Sequence, residues 1–399
     1  MKKLVLAYSG GLDTSYCVSY FTHEKGMEVH AVLANNGAFS PEEVEEVKQR
    51  ALFLGAVKFK EIDITDKYYE KCIRYMLFGN IKRMDTYPLS VSSERMFQAL
   101  AIAKYAQKIQ ADAVAHGSTG AGNDQVRFDL VFKALAPQLE IYTPIRDDKL
   151  SREYEIDYLQ KAGLHWDSEK SIYSINQGLW GTSIGGKETL SSNLPLPEDA
   201  YPHQLEKQGQ EKVTIVFEKG EPIGINDKQY NNPADCIKEL NRLGYGYAIG
   251  RDIHVGDTII GIKGRVAFEA PAALMLIDAH ALLEKHVLTK NQIYWKKQLA
   301  DWYGMTLHEG NYLEPTMRWI ENLLEESQQH VTGEAHLTLH PYRYTLDGIS
   351  SKNDLMQAGT GVYGEMNKAW TSTDAKGFIQ MLSVPYQNYF TLHPEEKDV

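Results

Sequence analysis

Ala7-Tyr8-Ser9-Gly10-Gly11-Leu12-Asp13-Thr14-Ser15 closes an apolar run that begins at Lys2, and it opens onto a segment with apolar residues at Leu12, Tyr16, Cys17 and Tyr20. Lys2 to Ala7 predicts a buried parallel strand, and the later spacing predicts the helix that follows. Between them lie two adjacent glycines, which adopt backbone conformations closed to residues with a Cβ. Ser9 to Leu12 can therefore aim consecutive N–H groups at one anion, with the positive end of the helix behind them. A glycine pair alone would suit any strand-to-helix turn. Here the surrounding hydroxyls and carboxylate make a pattern that lacks both the Gly-Lys-Ser/Thr of the P-loop and the spaced glycines of the dinucleotide fingerprint.

Working outward, strands are expected at Glu28 to Ala34, Val57 to Ile62 and Ala113 to His116, with helices at Tyr68 to Leu77 and Glu94 to Ile109. Ser40-Pro41-Glu42-Glu43 opens a further helix with a capping box and a proline in its first turn. This alternation predicts an α/β fold, a doubly wound parallel sheet whose ligands lie beyond the carboxyl ends of the strands. Three loops would meet there: Ser9 to Ser15, Ala34 to Gly37, and Gly117 to Arg127. A proline-bearing connector from Leu190 to Tyr201 leads into a second, α+β region. Its expected strands are Val213 to Phe217, Ile223 to Ile225, Thr258 to Ile262 and a pair hinged at Pro341. Its expected helices are Asp235 to Leu243 and Pro271 to His286. Tyr386 to Val399 reads as short and polar, so any terminal arm should be brief. Trp319, Leu323 and Leu324 would serve either a core or an interface.

At 399 residues the chain can build two domains. Its net charge of -11 opposes a nucleic-acid partner. Cys17, Cys72 and Cys236 are isolated, which suits a reducing compartment and gives no zinc or disulfide pattern. Met1-Lys2-Lys3 enters a strand with no leader pattern, and no apolar run reaches membrane-spanning length, so the expectation is a cytoplasmic protein with no membrane partner.

The second motif runs from His116 through Gly117, Ser118, Thr119, Gly120, Ala121, Gly122, Asn123, Asp124, Gln125 and Val126 to Arg127 and Phe128. Asn123 or Asp124 is expected to cap the helix Gln125 to Leu135. Arg127, one turn in, offers a fork for a substrate carboxylate, and Thr119, Asn123 and Asp124 offer groups complementary to an amino acid.

The first motif resembles the pyrophosphate loop of the ATP pyrophosphatases, and the two motifs together resemble the argininosuccinate synthase family. The likeness extends through most of the chain and includes Tyr87, Ser92, Tyr173-Ser174, Leu179 to Ser183, and Glu269-Ala270-Pro271 where the family usually has Glu-Thr-Pro. It implies a nucleotide-binding domain at 1–165, a synthetase domain at 166–370 and a C-terminal segment at 371–399 that serves assembly into a homotetramer. It implies that ATP is held by Ala7, Tyr8, Ser9, Gly10, Gly11, Leu12, Asp13, Thr14, Ser15, Ala34 and Gly117. Aspartate would lie on Thr119, Asn123 and Asp124. Citrulline would lie on Tyr87, Ser92, Asn123, Arg127, Ser174 and Ser183. Asp13, Asp124 and Arg127 are the candidate catalytic residues. Mg2+ would bridge the phosphates, with no ligand assigned. The implied reaction adenylates the ureido oxygen of citrulline, and the aspartate amine then displaces AMP.

The chain departs from the family at substrate-facing positions. Gly256 and Phe268 stand where the family usually has a citrulline-binding glutamate and tyrosine. Ala121 replaces a common lysine, and the Ser90 to Met96 stretch lacks the usual threonine and proline. Two readings follow. Either the acceptor is an N-acylated citrulline, acetylated or succinylated, with Lys263, Arg265 or Arg251 meeting a succinyl carboxylate, or Asp257 or Glu94 supplies the missing acid to free citrulline. Rescue by Asp257 requires a bulge at Gly256, because one residue along a strand reverses the face. Other classes are an ammonia-using synthetase, for which no glutaminase segment is present, and a nucleotide sensor without turnover.

Overall fold

The structure, a computed structural model, describes residues 1–166, 173–359, 361, 363–365 and 369–397. Five parallel strands form the first sheet: β1 (Lys3–Ala7), β2 (Glu28–Asn35), β3 (Lys58–Asp63), β4 (Ala113–Ala115) and β5 (Glu140–Tyr142), in the order β3-β2-β1-β4-β5. Strand β1 shows why this sheet is covered on both faces. Leu4 and Leu6 enter one core while Val5 and Ala7 enter another, the two-residue alternation of a strand buried on both sides. The order reverses between β1 and β4, so the loops after those two strands open the crevice where doubly wound sheets bind ligands.

Helices supply the flanking layers: α1 (Leu12–Ser19), α2 (Pro41–Phe53), α3 (Glu94–Lys108), α4 (Asp124–Leu135) and α5 (Arg152–Lys161). The expected capping box at α2 is present: Ser40 Oγ accepts from the Glu43 N–H at 3.2 Å, and the Glu43 carboxylate accepts from the Ser40 N–H at 2.8 Å. The helix expected at Tyr68 to Leu77 is a broken run of Thr65–Tyr68, Tyr69–Ile73 and Arg74–Phe78, the middle piece a π turn.

Two antiparallel sheets follow. One joins β6 (Ser174–Gly178) and β7 (Gly181–Gly185) to a hairpin of β11 (Arg251–Asp257) and β12 (Lys263–Glu269), in the order β11-β12-β7-β6. The other, β10-β9-β8-β13-β14, is built from β8 (Glu211–Glu218), β9 (Glu221–Ile225), β10 (Lys228–Gln229), β13 (Gly333–His340) and β14 (Arg343–Ser350). Helices α6 (Pro233–Gly246), α7 (Pro271–Val287) and α8 (Lys290–His308) pack among them. The largest apolar core runs from Val5 and Val32 of the first sheet through Trp180 to Phe217, Ile237 and Leu276. Residues Met1–Asn353 accordingly form one compact unit.

Three expectations are corrected. Thr258 to Ile262 is the turn of the β11–β12 hairpin rather than a strand; Ile260 and Ile262 are exposed, and Gly261 sits at φ +83°. An apolar run imitated a strand where the backbone reverses. Helix α4 begins after Asn123 without side-chain capping, because both candidate caps are engaged elsewhere, as described below. The chain end is not a brief polar arm. The second unit, Asp354–Val399, carries a 21-residue helix α9 (Ser372–Leu392), opened by a Thr371–Asp374 capping box and containing Pro385. Its Phe378, Ile379, Met381 and Leu382 are exposed. Residues 398 and 399 lie outside the described residues.

Candidate active site

Strand β1 ends at Ala7, and the chain turns through Ser9 to Gly11 into α1. Gly10 has φ +76°, and a Cβ there would lie 2.8 Å from Val47 of α2. From the same helix Arg50 donates to the Gly10 carbonyl and lies 5.5 Å from the Trp166 ring. Ser9 and Thr14 tie the loop across its mouth, their hydroxyls 3.2 Å apart. Gly117, after β4, lets the second loop approach: a Cβ there would stand 3.1 Å from Asp13 and 3.2 Å from Thr14. The two motifs, about a hundred residues apart in sequence, are thus packed backbone against side chain.

They border one cleft of about 1020 Å³. Every residue expected to bind nucleotide or substrate lines it except Ser15 and Phe268. Ser15 is buried in α1, and Phe268 is wholly buried with its ring 5.4 Å from Tyr87. The cleft wall also includes residues that carry no local motif, among them Arg50, Arg95, Arg152, Glu155, His254 and His308.

Asp124 sits between two guanidinium groups. Its carboxylate accepts from Arg95 Nε and from Arg127 NH1, each at 2.9 Å. Burial alone would raise its pKa, but Arg95 and Arg127 outweigh that and hold the carboxyl below its usual range. Arg95 also donates to Glu94 and, at 2.8 Å, to Asn176 of β6. Glu94 is fully buried against Asn36, and burial pushes its pKa up to about 8 against the pull of Arg95. It therefore does not offer a free acid to a substrate.

The Arg127 fork is turned onto the last carbonyl of α8: Nε and NH2 donate to His308 O at 3.2 and 2.8 Å. A buried cation at that helix end answers the negative pole of the dipole. Asn123 spends its carbonyl oxygen on the Ile259 N–H at 2.8 Å, which fastens the β11–β12 turn over the cleft. Pairing of β11 with β12 is unbroken, with Gly256 opposite Gly264, so the bulge that would bring Asp257 inward is not formed. Asp257 pairs with Lys263 instead. Arg251 is engaged by Glu269, Glu198 and the His203 carbonyl, and Arg265 by the Glu188 and Leu194 carbonyls.

Beside the Ser9 to Thr14 loop, Asp13 and Glu155 are close enough to share a proton. Burial raises Asp13, and burial followed by the Asp13 charge raises Glu155 to about 8. Glu155 is 1% exposed, and its Oε2 has no hydrogen-bond donor among the described residues. A buried carboxyl with an unsatisfied oxygen beside a half-buried one fits a divalent cation.

This pair has a stability consequence. As pH rises, the unfolded chain gives up the Glu155 proton near 4.5 and the folded chain only near 8. Between those values the folded state holds the extra proton, so stability falls as pH rises. Glu155→Gln should flatten that decline, gaining about 2–4 kcal/mol at pH 8. Urea titrations with EDTA and no nucleotide would check it; parallel pH profiles for both proteins would contradict it.

Comparison with known proteins places these features in context. Residues 3–165 match the family model described as Arginosuccinate synthase N-terminal HUP domain, and residues 173–389 match the Arginosuccinate synthase C-terminal domain. Curated relatives named argininosuccinate synthase include one from Dictyoglomus thermophilum, 34% identical over 97% of this chain and 97% of its own. Another, from Staphylococcus saprophyticus, is 34% identical over 100% of this chain and 99% of its own. A third, from Methanocaldococcus jannaschii, is 35% identical over 84% of this chain and 85% of its own.

Proposed function

The chain belongs to the argininosuccinate synthase family, and from that membership and the cleft we infer that it is a ligase joining citrulline to aspartate while ATP is split to AMP and pyrophosphate, a step of arginine biosynthesis. The observation that carries this reading is the contact of Gly117 with Asp13 and Thr14, which brings a phosphate-binding turn and an amino-acid-binding loop to one cleft. Free citrulline is the favoured acceptor. The relatives carry the name argininosuccinate synthase, and Lys263, Arg265 and Arg251, the residues considered for a succinyl group, already have partners.

In this reading the N–H groups of Ser9 to Leu12 hold the ATP phosphates, Arg50 stiffens that loop from behind, and Ala34 and Gly117 border the nucleotide. Citrulline lies along Tyr87, Ser92, Asn123, Arg127, Ser174, Ser183 and Gly256, and aspartate meets Thr119, Asn123 and Asp124. The ureido oxygen attacks the α-phosphorus in line with departing pyrophosphate, and the aspartate amine then attacks the adenylated ureido carbon and expels AMP. No covalent bond to the protein forms. The rate gain comes from alignment of the reactants and from preorganised donors at the leaving group. Asp124, ionised by its two arginines, accepts from the aspartate ammonium and keeps Arg127 in place. Asp13 and Glu155 would hold Mg2+, which would supply charge neutralisation on the phosphates.

The division into a nucleotide-binding part at 1–165, a synthetase part at 166–370 and an assembly segment at 371–399 belongs to the same proposal. So does a homotetramer, supported by the exposed apolar residues of α9. Among the described residues no helix is long and apolar enough to cross a membrane. The test of the function is the fate of the ureido oxygen of citrulline, which this chemistry sends to AMP.

A further inference from the structure

On the cleft wall by Gly256, His254 Nδ1 and His308 Nε2 are buried with no hydrogen-bond partner among the described residues, and so is Arg83 Nε just behind Gly256. Unsatisfied buried groups gathered at one wall mark a place where a ligand completes the bonding. Each has a defined position. His308, 6% exposed, ends α8, and its Nδ1 lies 3.5 Å from Arg127 NH2. A guanidinium can only donate, so the imidazole proton belongs on Nε2, a donor with nothing to receive it. His254, 5% exposed, comes from β11 and stacks on Tyr87 with ring centres 5.3 Å apart. Arg83 is pinned by its N–H to the Tyr87 carbonyl at 2.7 Å and by NH2 to the Asp257 carbonyl at 2.8 Å.

Gly256 is what lets these groups converge. A Cβ at that position would lie 2.5 Å from His254 Nε2 and 3.4 Å from Arg83 Nε. The missing side chain therefore leaves room for an imidazole backed by a guanidinium.

The local field is positive and unbalanced. Burial, then Arg127, Arg83 and His254, drive His308 down to about 2; burial and then Arg83 drive His254 down to about 4. The nearby carboxylates are divided: Asp124 is shared by Arg95 and Arg127, and Asp257 pairs with Lys263. Burial holds Arg83 below its usual value despite Glu309 and Asp257. An ammonium entering here would meet Arg83 and Arg127. A carboxylate would meet N–H donors, the Arg83 guanidinium and an Arg127 whose one carboxylate partner among the described residues is shared with Arg95.

We propose that Arg83, His254 and His308 form a carboxylate-recognition subsite that takes the α-carboxylate of citrulline and sets the acceptor specificity of the enzyme. Tyr87, which stacks on His254 and accepts from the Arg83 N–H, is among the residues assigned to citrulline above, so the proposal rests on that reading. It follows that the acceptor's carboxylate is read strongly and its α-ammonium weakly.

Two analogues separate these groups on the unmodified enzyme: 5-ureidopentanoate lacks the α-amino group of citrulline, and 4-ureidobutylamine lacks its carboxylate. With aspartate, ATP and Mg2+, pyrophosphate release from the first should stay within about 10-fold of citrulline in kcat/KM. The second should fall by about 100-fold or more. His308→Leu should raise the KM for citrulline at least about 10-fold, with the KM values for aspartate and ATP unchanged. His308→Gln, whose amide N–H reaches the place of Nε2, should recover most of the loss. The proposal is overturned if 4-ureidobutylamine matches citrulline, or if His308→Leu leaves the citrulline KM where it was. Absence of turnover with citrulline itself would instead overturn the citrulline reading, and this subsite assignment with it.

Discussion

Replacing Asp124 with alanine is expected to lower kcat/KM by at least about 1000-fold and to destabilise the fold by about 2–3 kcal/mol. The carboxylate bonds to Arg95 and Arg127 at 2.9 Å each, and those side chains are only 13% and 4% exposed. Its loss leaves Arg127 with no carboxylate partner and Arg95 with Glu94 alone among the described residues. Breaking a fully buried pair costs more, but the Asp124 side chain is 37% exposed to the cleft, so water recovers part of the difference. Activity should suffer far more than stability, because the same group is assigned to the aspartate ammonium and keeps the Arg127 fork in register. Asp124→Asn separates the two effects: shape and one acceptor survive, so stability should fall by about half as much while activity remains at least 100-fold down. Denaturant midpoints and steady-state rates on both variants decide it. An Asp124→Ala enzyme within 10-fold of the parent would remove Asp124 from the site.

The second large effect belongs to Gly10. Gly10→Ala puts a Cβ on a residue at φ +76° and within 2.8 Å of Val47. The left-handed backbone costs about 1–2 kcal/mol for a residue with a side chain, and the clash pushes the turn away from α2. Both displace the N–H groups assigned to the ATP phosphates, so kcat/KM for ATP should fall at least about 100-fold. Gly11 supplies the contrast. Its φ is -73°, and among the described residues a Cβ there would meet only Ser9 Oγ at 3.4 Å. Gly11→Ala should therefore leave stability within about 0.5 kcal/mol of the parent. Equal stability losses at the two positions would show that the conformation of the loop is not what Gly10 protects.

The contrast between these glycines shows what could be read in advance. The strand-to-helix turn was legible because its residue types are dictated by backbone geometry, and so was the parallel sheet, because β1 and β2 are apolar on both faces. The second loop was legible for its glycines, yet the role of Asn123 was not. Capping is a local habit of asparagine, whereas its bond to Ile259 depends on a turn 136 residues away. Separation in sequence also hid Arg50, Glu155 and His308, each a lone residue whose meaning comes from what it faces. Thr258 to Ile262 was misread because three isoleucines outweigh one glycine in a pattern of hydropathy, although that glycine sets the fold there. The C-terminal helix was missed because Pro385 argues against a helix, and the capping box at Thr371 lies well before it.

The central claim is that citrulline is activated through its ureido oxygen. Citrulline labelled with oxygen-18 in that group, incubated with the enzyme, aspartate, ATP and Mg2+, should yield argininosuccinate without label and AMP carrying one labelled oxygen per turnover by mass spectrometry. Label retained in the amino-acid product, or AMP and pyrophosphate formed without it, would contradict the account.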